Sequence, residues 1–186
     1  MKPHIPYPLI LETERLLVRS PQESDGAELQ ASIADSFTEL HQWMPWAQAI
    51  PTVEQSTENC RNAVKEFKSG EDYRLHLILK DSLTFIGCSG IHRFDWEVPR
   101  AEIGYWLRSP YTGRGFMTEA VGEITRFLLE DLQMNRVEIR MSAENIKSRA
   151  IPERLGYRLE GILRNADRHP DGNLRDTCIY ARIPQS

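Results

Sequence analysis

The segment best equipped for chemistry is Arg108-Ser-Pro-Tyr-Thr-Gly-Arg-Gly-Phe-Met-Thr-Glu-Ala120. Two glycines flank Arg114 where a strand-like run, Ala101–Leu107, gives way to a helix. The first turn of a helix carries four N–H groups without partners, and its dipole adds positive potential, so this is a place to hold a phosphate. Gly113 and Gly115 permit a sharp turn and a close approach of ligand to backbone. Arg114 can meet a phosphate oxygen or point to solvent. The segment is not a P-loop, because the Gly-Lys-Ser/Thr ending is absent, and it has no Gly-x-Gly-x-x-Gly fingerprint. By itself it reads equally well as a plain strand-to-helix turn.

A second polar group lies at Asn145-Ile-Lys-Ser148, at the start of a short helix. Asn145 can cap it, and Ser148 falls in its first turn. Pro152 has no N–H, so the Ser148 carbonyl loses its helical partner. That carbonyl must bond elsewhere, with water or a cofactor as the expected partner.

The elements that must position these groups follow from periodicity. Residues 1–11 hold three prolines and read as an extended arm. Thr13–Arg19 reads as a strand, and Ser24 or Asp25 as the cap of a helix to about Phe37. Pro45 ends any helix in the aromatic stretch His41–Trp46. A second helix follows Pro51, with Cys60, Ala63, Val64 and Phe67 on one face and Gly70 as its stop. Three strands, Tyr73–Leu79, Thr84–Ile91 and Arg100–Leu107, form an antiparallel meander. Gly115–Leu132 is the clearest helix, with a wide apolar stripe. Val137–Met141 is a strand, and a short helix runs from Asn145 to about Leu155. Strands Tyr157–Arg164 and Leu174–Ile183 flank the His169-Pro-Asp-Gly172 turn. The expectation is one α+β domain over residues 1–186, built on a mixed, mostly antiparallel sheet of six to seven strands with about four helices.

Composition narrows the function classes. The 186 residues are 40% hydrophobic, enough for a core without metals or disulfides. A net charge of -4 with acid and base well mixed argues against a general nucleic-acid binder. No apolar run is long enough to span a membrane. The proline-broken N-terminus lacks the core of a secretion signal, so a cytoplasmic protein is expected. Cys60, Cys88 and Cys178 have neither metal nor redox spacing, and His4, His41, His76, His92 and His169 form no ligand pair, so no metal is expected.

In order and spacing, Ala101-Glu-Ile-Gly-Tyr-Trp-Leu107, Tyr111-Thr-Gly-Arg-Gly-Phe-Met-Thr-Glu-Ala120 and Asn145-Ile-Lys-Ser-Arg-Ala-Ile-Pro-Glu-Arg-Leu-Gly-Tyr157 resemble the GNAT superfamily of acetyl-CoA-dependent N-acetyltransferases. The likeness extends from Leu11 to Arg182 and is nearest to the RimJ/RimL branch, which acetylates N-termini of ribosomal proteins. Pro110 stands where the superfamily motif begins with Gln or Arg; the two glycines match. The resemblance implies that the strand ending at Leu107 splays from Val137–Met141 and that pantetheine enters the gap. It implies cofactor contacts from Ile103, Tyr105, Trp106 and Leu107, from Gly113, Arg114, Gly115, Phe116, Met117 and Thr118 around the pyrophosphate, and from Asn145 and Arg149.

The same resemblance gives Ser148 the role of proton donor to the departing thiolate. A protonated amine must lose a proton before attack. Asp167 falls where the branch carries a proposed carboxylate base, and Glu102 is the rival from a wider superfamily habit. Direct attack by the amine is preferred to an acetyl-cysteine intermediate. Acceptor contacts are expected from Trp43 and Trp46 as walls and from His41, Arg93, Trp96 and Arg168. The acceptor is a protein N-terminus such as that of a ribosomal protein, or a small polyamine, amino sugar or amino acid. The chain's acidic balance suits a basic protein partner. A CoA-binding sensor without turnover is the non-enzymatic alternative, and a monomer or homodimer is expected.

Overall fold

The computed structural model describes residues 5–184, so His4 and the start of the arm lie outside the described residues. Eight strands form one sheet among them: β1 (Ile10–Glu12), β2 (Leu16–Arg19), β3 (Tyr73–Leu79), β4 (Phe85–Asp95), β5 (Arg100–Leu107), β6 (Arg136–Ser142), β7 (Arg158–Arg168) and β8 (Leu174–Arg182). The order across the sheet is β1-β2-β3-β4-β5-β6-β8-β7. β5 and β6 are parallel, and the other neighbours are antiparallel.

Among the described residues five α-helices cover the faces: α1 (Gly26–Asp35), α2 (Phe37–Trp43), α3 (Val53–Ser69), α4 (Phe116–Arg126) and α5 (Ile146–Arg154). Thr52 and Gln55 close a capping box at the start of α3, and Gly70 ends it in the left-handed conformation at φ 78°. Both are local signals that the sequence carries openly.

Period-two alternation assigns each side chain to a face. In register across β3, β4 and β5, Arg74 pairs with Gly90 and Gly90 with Gly104; His76 pairs with Cys88 and Cys88 with Trp106. These share one face with Glu102 and His92. There Leu29, Ile33, Leu40 and Cys60 of α1–α3 pack on Ile78, Phe85 and Cys88. Ile103 and Tyr105 point to the other face, where Phe116, Met117, Ala120, Val121 and Ile124 of α4 meet Leu75, Leu77, Ile103, Val137 and Ile139.

Several boundaries differ from the sequence reading. Thr13–Arg19 is strand only from Leu16: residues 13–15 form a turn in which the Thr13 N–H donates to the Leu16 carbonyl, and Ile10–Glu12, at the end of the expected arm, pairs with Leu17–Arg19. The helix expected to reach Phe37 breaks at Ser36, and a new helix carries the chain to Trp43, just before Pro45. The long helix ends as an α-helix at Arg126, and Phe127–Asp131 continues as a π-helical turn. Asp167, read as a loop residue, lies within β7 in register with Arg175 of β8.

Candidate active site

The decisive irregularity of the sheet is between its two parallel strands. β5 pairs with β6 only over Arg100–Glu102 against Arg136–Glu138. Beyond Glu102, β5 stays on β4 as far as Leu107, while β6 stays on β8 as far as Ser142. The strands therefore diverge, and one edge of Ile103–Leu107 faces a gap with no strand beside it. A strand edge without a neighbour offers N–H and C=O groups to an extended ligand at a two-residue period.

At the end of β5 stands the glycine turn. Gly113 and Gly115 adopt φ 73° and 81°, a region that side chains with a Cβ rarely enter. Nothing lies within 4 Å of where a Cβ on Gly113 would be, so open space meets the backbone there. Among the described residues, no acceptor takes the N–H groups of Gly113, Arg114, Gly115, Phe116, Met117 or Thr118; the first bond of α4 is from Glu119 to the Gly115 carbonyl. Six consecutive free donors at a helix N-terminus fit a pyrophosphate.

Sequence reasoning missed Arg15 here. Its guanidinium bonds Glu119 at 2.6 Å and the Arg114 carbonyl at 3.1 Å, and it lies 4.4 Å from the Phe116 ring centroid. It ties the end of the turn to the body of the protein. Phe116 and Met117 are buried and anchor α4 in the core, so what they can offer a ligand is backbone.

Gly113→Val is expected to fold but to weaken CoA binding about tenfold or more, since forcing a β-branched residue at positive φ costs about 1–3 kcal/mol or re-aims the N–H groups. Titration calorimetry with CoA checks it; an unchanged dissociation constant in a folded variant would remove the turn from the site.

α5 faces the gap from the other side. The Asn145 side chain accepts from the Ser148 N–H at 3.1 Å, so it acts as the helix cap. Pro152 leaves the Ser148 carbonyl free, as expected, and the structure adds a protein partner for it. The Tyr105 hydroxyl donates to it at 3.0 Å, and the Ser148 hydroxyl donates to Tyr105 Oη at 3.3 Å. Tyr105 thus bridges the splayed strand and the proline-kinked helix, and its burial pushes the phenol above its ordinary range. Arg149 turns away from the gap, bonding Tyr180 Oη and the Ala143 carbonyl.

A cleft of about 1060 Å³ runs from this gap across the α1–α3 side of the sheet. Ser148, Asn145, Ile103, Tyr105, Trp106, Glu102, Arg93, Asp167, Trp43 and Trp46 all contribute to its walls. The structure does not bring His41, Trp96, Arg168 or Arg149 to it. His41 Nδ1 bonds the Ala47 carbonyl and buttresses the loop that carries Trp46. Trp96 stacks on Phe94 beside a separate shallow hollow. Arg168 closes its own hairpin by bonding the Gly172 carbonyl. These three expectations rested on residue type alone, and side-chain direction is set by register that the sequence does not display.

Both proposed bases are tied to arginines. Asp167 Oδ2 accepts two bonds from Arg175, at 2.9 and 2.5 Å. Burial raises the Asp167 carboxyl, but the Arg168 backbone and the Arg175 guanidinium outweigh it and hold it below the usual carboxylate range. A carboxylate held this way is a weaker base than a free one. Glu102 Oε2 lies 3.4 Å from Arg140 and 3.6 Å from Arg93. The cleft is lined by Arg74, Arg93, Arg140 and Arg175 against Glu102 and Asp167, four cationic side chains to two anionic ones, although the chain as a whole is acidic. The long-range attraction for a basic partner read from net charge is therefore not reproduced at the cleft.

Against this geometry the comparisons are specific. The family described as "Acetyltransferase (GNAT) domain" matches residues 15–158. The chain belongs to the GNAT acetyltransferases. The putative ribosomal N-acetyltransferase YdaF of Bacillus subtilis (strain 168) is 28% identical over 171 residues, covering 91% of this chain and 92% of that protein. The ribosomal-protein-serine acetyltransferase of Escherichia coli (strain K12) is 26% identical over 174 residues, 94% and 96% of the two chains. Among solved structures, RimL, a ribosomal L7/L12 alpha-N-protein acetyltransferase in complex with coenzyme A, superposes with a TM-score of 0.86 at 22% identity, covering 94% of this chain and 98% of that one. The microcin C7 self-immunity acetyltransferase MccE, in complex with acetyl-CoA and AMP, gives 0.85 at 22% identity, covering 92% and 94%.

The α+β GNAT fold, with its mixed and mostly antiparallel sheet, is thus the fold of this chain, and membership of the GNAT acetyltransferases makes acetyl-CoA its co-substrate. The residues present fit that GNAT co-substrate: a free strand edge for an amide-bearing arm and free N–H groups for a pyrophosphate. Among the described residues no group of His, Cys, Asp and Glu is arranged to hold a metal, and no helix is long and apolar enough to cross a membrane.

Proposed function

We propose that this GNAT acetyltransferase is of the RimJ/RimL type and transfers acetyl from acetyl-CoA to the α-amine of a protein N-terminus, with ribosomal proteins as the leading class. The observation that carries this reading is the continuity of the cleft. It passes from the β5–β6 gap, where a thioester would lie, to an open face rimmed by Trp43 and Trp46, the latter 51% exposed. An acceptor enters from the side opposite α4, so a chain terminus can approach without displacing the co-substrate. The ribosomal substrates in the names of the similar proteins support the same class.

When bound, acetyl-CoA supplies an activated acetyl group. The chain's own residues do the rest. Unpaired N–H groups on the Ile103–Leu107 edge polarise the thioester oxygen as negative charge develops on it. The Gly113–Thr118 donors hold the pyrophosphate. Ser148, placed at the mouth of α5 by the Asn145 cap and Tyr105, gives a proton to the departing sulfur. Asp167 and Glu102, held by arginines, shape the acceptor side. Trp43 and Trp46 wall the acceptor, with Arg93 at the cleft edge. Action on newly made ribosomal proteins would place the enzyme in the cytoplasm.

The test is a comparison of proteome N-termini by mass spectrometry with and without the protein, alongside a screen of peptides, polyamines, amino sugars and amino acids with acetyl-CoA. Gain of acetylated ribosomal N-termini is the expected result. Turnover of small amines alone would move the reading to a small-molecule enzyme, and binding of acetyl-CoA with no transfer would make the protein a sensor.

A further inference from the structure

One cleft side chain has the geometry of a proton acceptor, and neither family motif nor sequence pattern singles it out. His92 lies on β4, on the acceptor face of the sheet, directly across from Glu102 of β5. Its Nδ1 is hydrogen-bonded to the Asp72 carboxylate. A carboxylate accepts and does not donate, so Nδ1 carries a proton, and in the neutral imidazole Nε2 then presents a lone pair. Among the described residues Nε2 has no hydrogen-bond partner.

The sheet is shaped to receive this ring. A Cβ on Gly90 would lie 2.5 Å from Nε2, and one on Gly104 would lie 3.3 Å from it. Gly90 and Gly104 are register partners on adjacent strands. Neither has a positive φ that would demand glycine, so the absence of a Cβ is explained by the imidazole lying over both. Gly104 belongs to the part of β5 that has already parted from β6. Nε2 therefore sits over the strand that borders the thioester gap, in a cleft where Arg175 hydrogen-bonds Asp167, and Glu102 lies at ion-pair distance from Arg93 and Arg140 with its Oε2 buried and without a hydrogen bond.

We propose that His92, oriented by Asp72, is the general base for the acceptor amine. This rests on the acetyl-transfer reading above. Nε2 takes a proton from the ammonium group, leaving a free amine and an imidazolium paired with Asp72. The amine nitrogen bonds to the thioester carbonyl carbon, the carbon–sulfur bond breaks, and the sulfur leaves with a proton from Ser148, which solvent restores. The nitrogen's second proton is lost to solvent. The side chain of His92 is 38% exposed, so the imidazolium returns its proton to bulk water. The balance is an ammonium and a thioester giving an amide, a thiol and one proton.

Three variants test this together. His92→Ala should lower kcat by about 10²–10⁴-fold, leave the dissociation constant for CoA within twofold, and regain part of the loss when free imidazole is added. Gly90→Ala should mimic it, because the new methyl group forces the ring aside. Asp72→Asn should lower kcat with a smaller effect, as expected of a positioning residue. His92→Ala turning over within threefold of wild type overturns the assignment, and so does a loss that imidazole does not rescue together with a fully active Gly90→Ala. Acceptor-free hydrolysis of acetyl-CoA, with water in place of the amine, is measured in parallel. If wild type acetylates no amine yet hydrolyses the thioester in a His92-dependent way, the acceptor reading fails and His92 stands. If wild type does neither, both fall.

Discussion

Ser148→Ala is expected to bind acetyl-CoA as wild type does while kcat falls by about 10²–10⁴-fold, the usual worth of a proton transfer in the transition state. The geometry makes the substitution clean. The Ser148 backbone N–H is held by Asn145 and its carbonyl by Tyr105, so neither anchor of the helix depends on the hydroxyl that is removed. Steady-state kinetics at saturating acetyl-CoA, with calorimetry for binding, separate the two effects. Should the variant turn over at the wild-type rate across the pH range, Ser148 has no part in the chemistry.

Asp25→Asn is expected to destabilise the fold by about 3–5 kcal/mol, the typical result of breaking a buried pair on one side. Asp25 is 7% exposed and takes bonds from Arg19 at 2.8 and 2.7 Å and from His76 Nδ1 at 2.7 Å. Burial pushes the Asp25 carboxyl up, but Arg19 and then His76 outweigh it and hold it well below the usual carboxylate range. His76 is fully buried, and burial holds it below the usual imidazole range against the pull of Asp25. Its Nε2 has no partner, so protonation would bury an unpaired N–H. Both groups bind protons more weakly when folded than when unfolded. Their contributions are present above the unfolded values, about 6.5 for His and 3.9 for Asp, and are lost as pH falls below each. Urea unfolding at pH 7, 5, 4 and 3 should show wild type weakening on acidification. The variant should start lower and lose less below pH 4. Equal unfolding midpoints at pH 7 would show that the network adds nothing.

This buried network could not be found by pattern. Arg19, Asp25 and His76 are spread over 58 positions of sequence, and each reads singly as a surface polar residue. The pairing of Arg19 with His76 across β2 and β3 brings them together. Catalytic candidates fared the same way. The place of Ser148 in a capped, proline-kinked first turn was legible because Asn145 and Pro152 are local, whereas its role as proton donor came from the family resemblance; Gly113 and Gly115 were legible because a left-handed turn leaves a mark in residue type. His92 was not, because its partner Asp72 precedes β3 and Gly104 beneath it lies on β5, and only Gly90 is its neighbour on β4. The opposite fate met Asp167: an apparent loop carboxylate became a strand residue paired with Arg175 once β7 and β8 were in register.

What the sequence determined by itself is therefore what short-range physics writes into it. Period-two and helical alternation gave most of the elements, Thr52–Gln55 and Gly70 bounded α3, and the free N–H groups of the Gly113–Thr118 turn follow from a strand running into a helix through two glycines. What only the tertiary structure decided depends on contacts between distant segments. The splitting of β5 from β6 after Glu102, the closing of the Ser148 carbonyl by Tyr105, and the choice of which arginine holds which carboxylate all require strand register. Register is fixed by summed burial over whole strands, and no single residue announces it. The charge of the cleft is the plainest case: a net of -4 is a property of composition, whereas four arginines against two carboxylates around one cleft is a property of the fold.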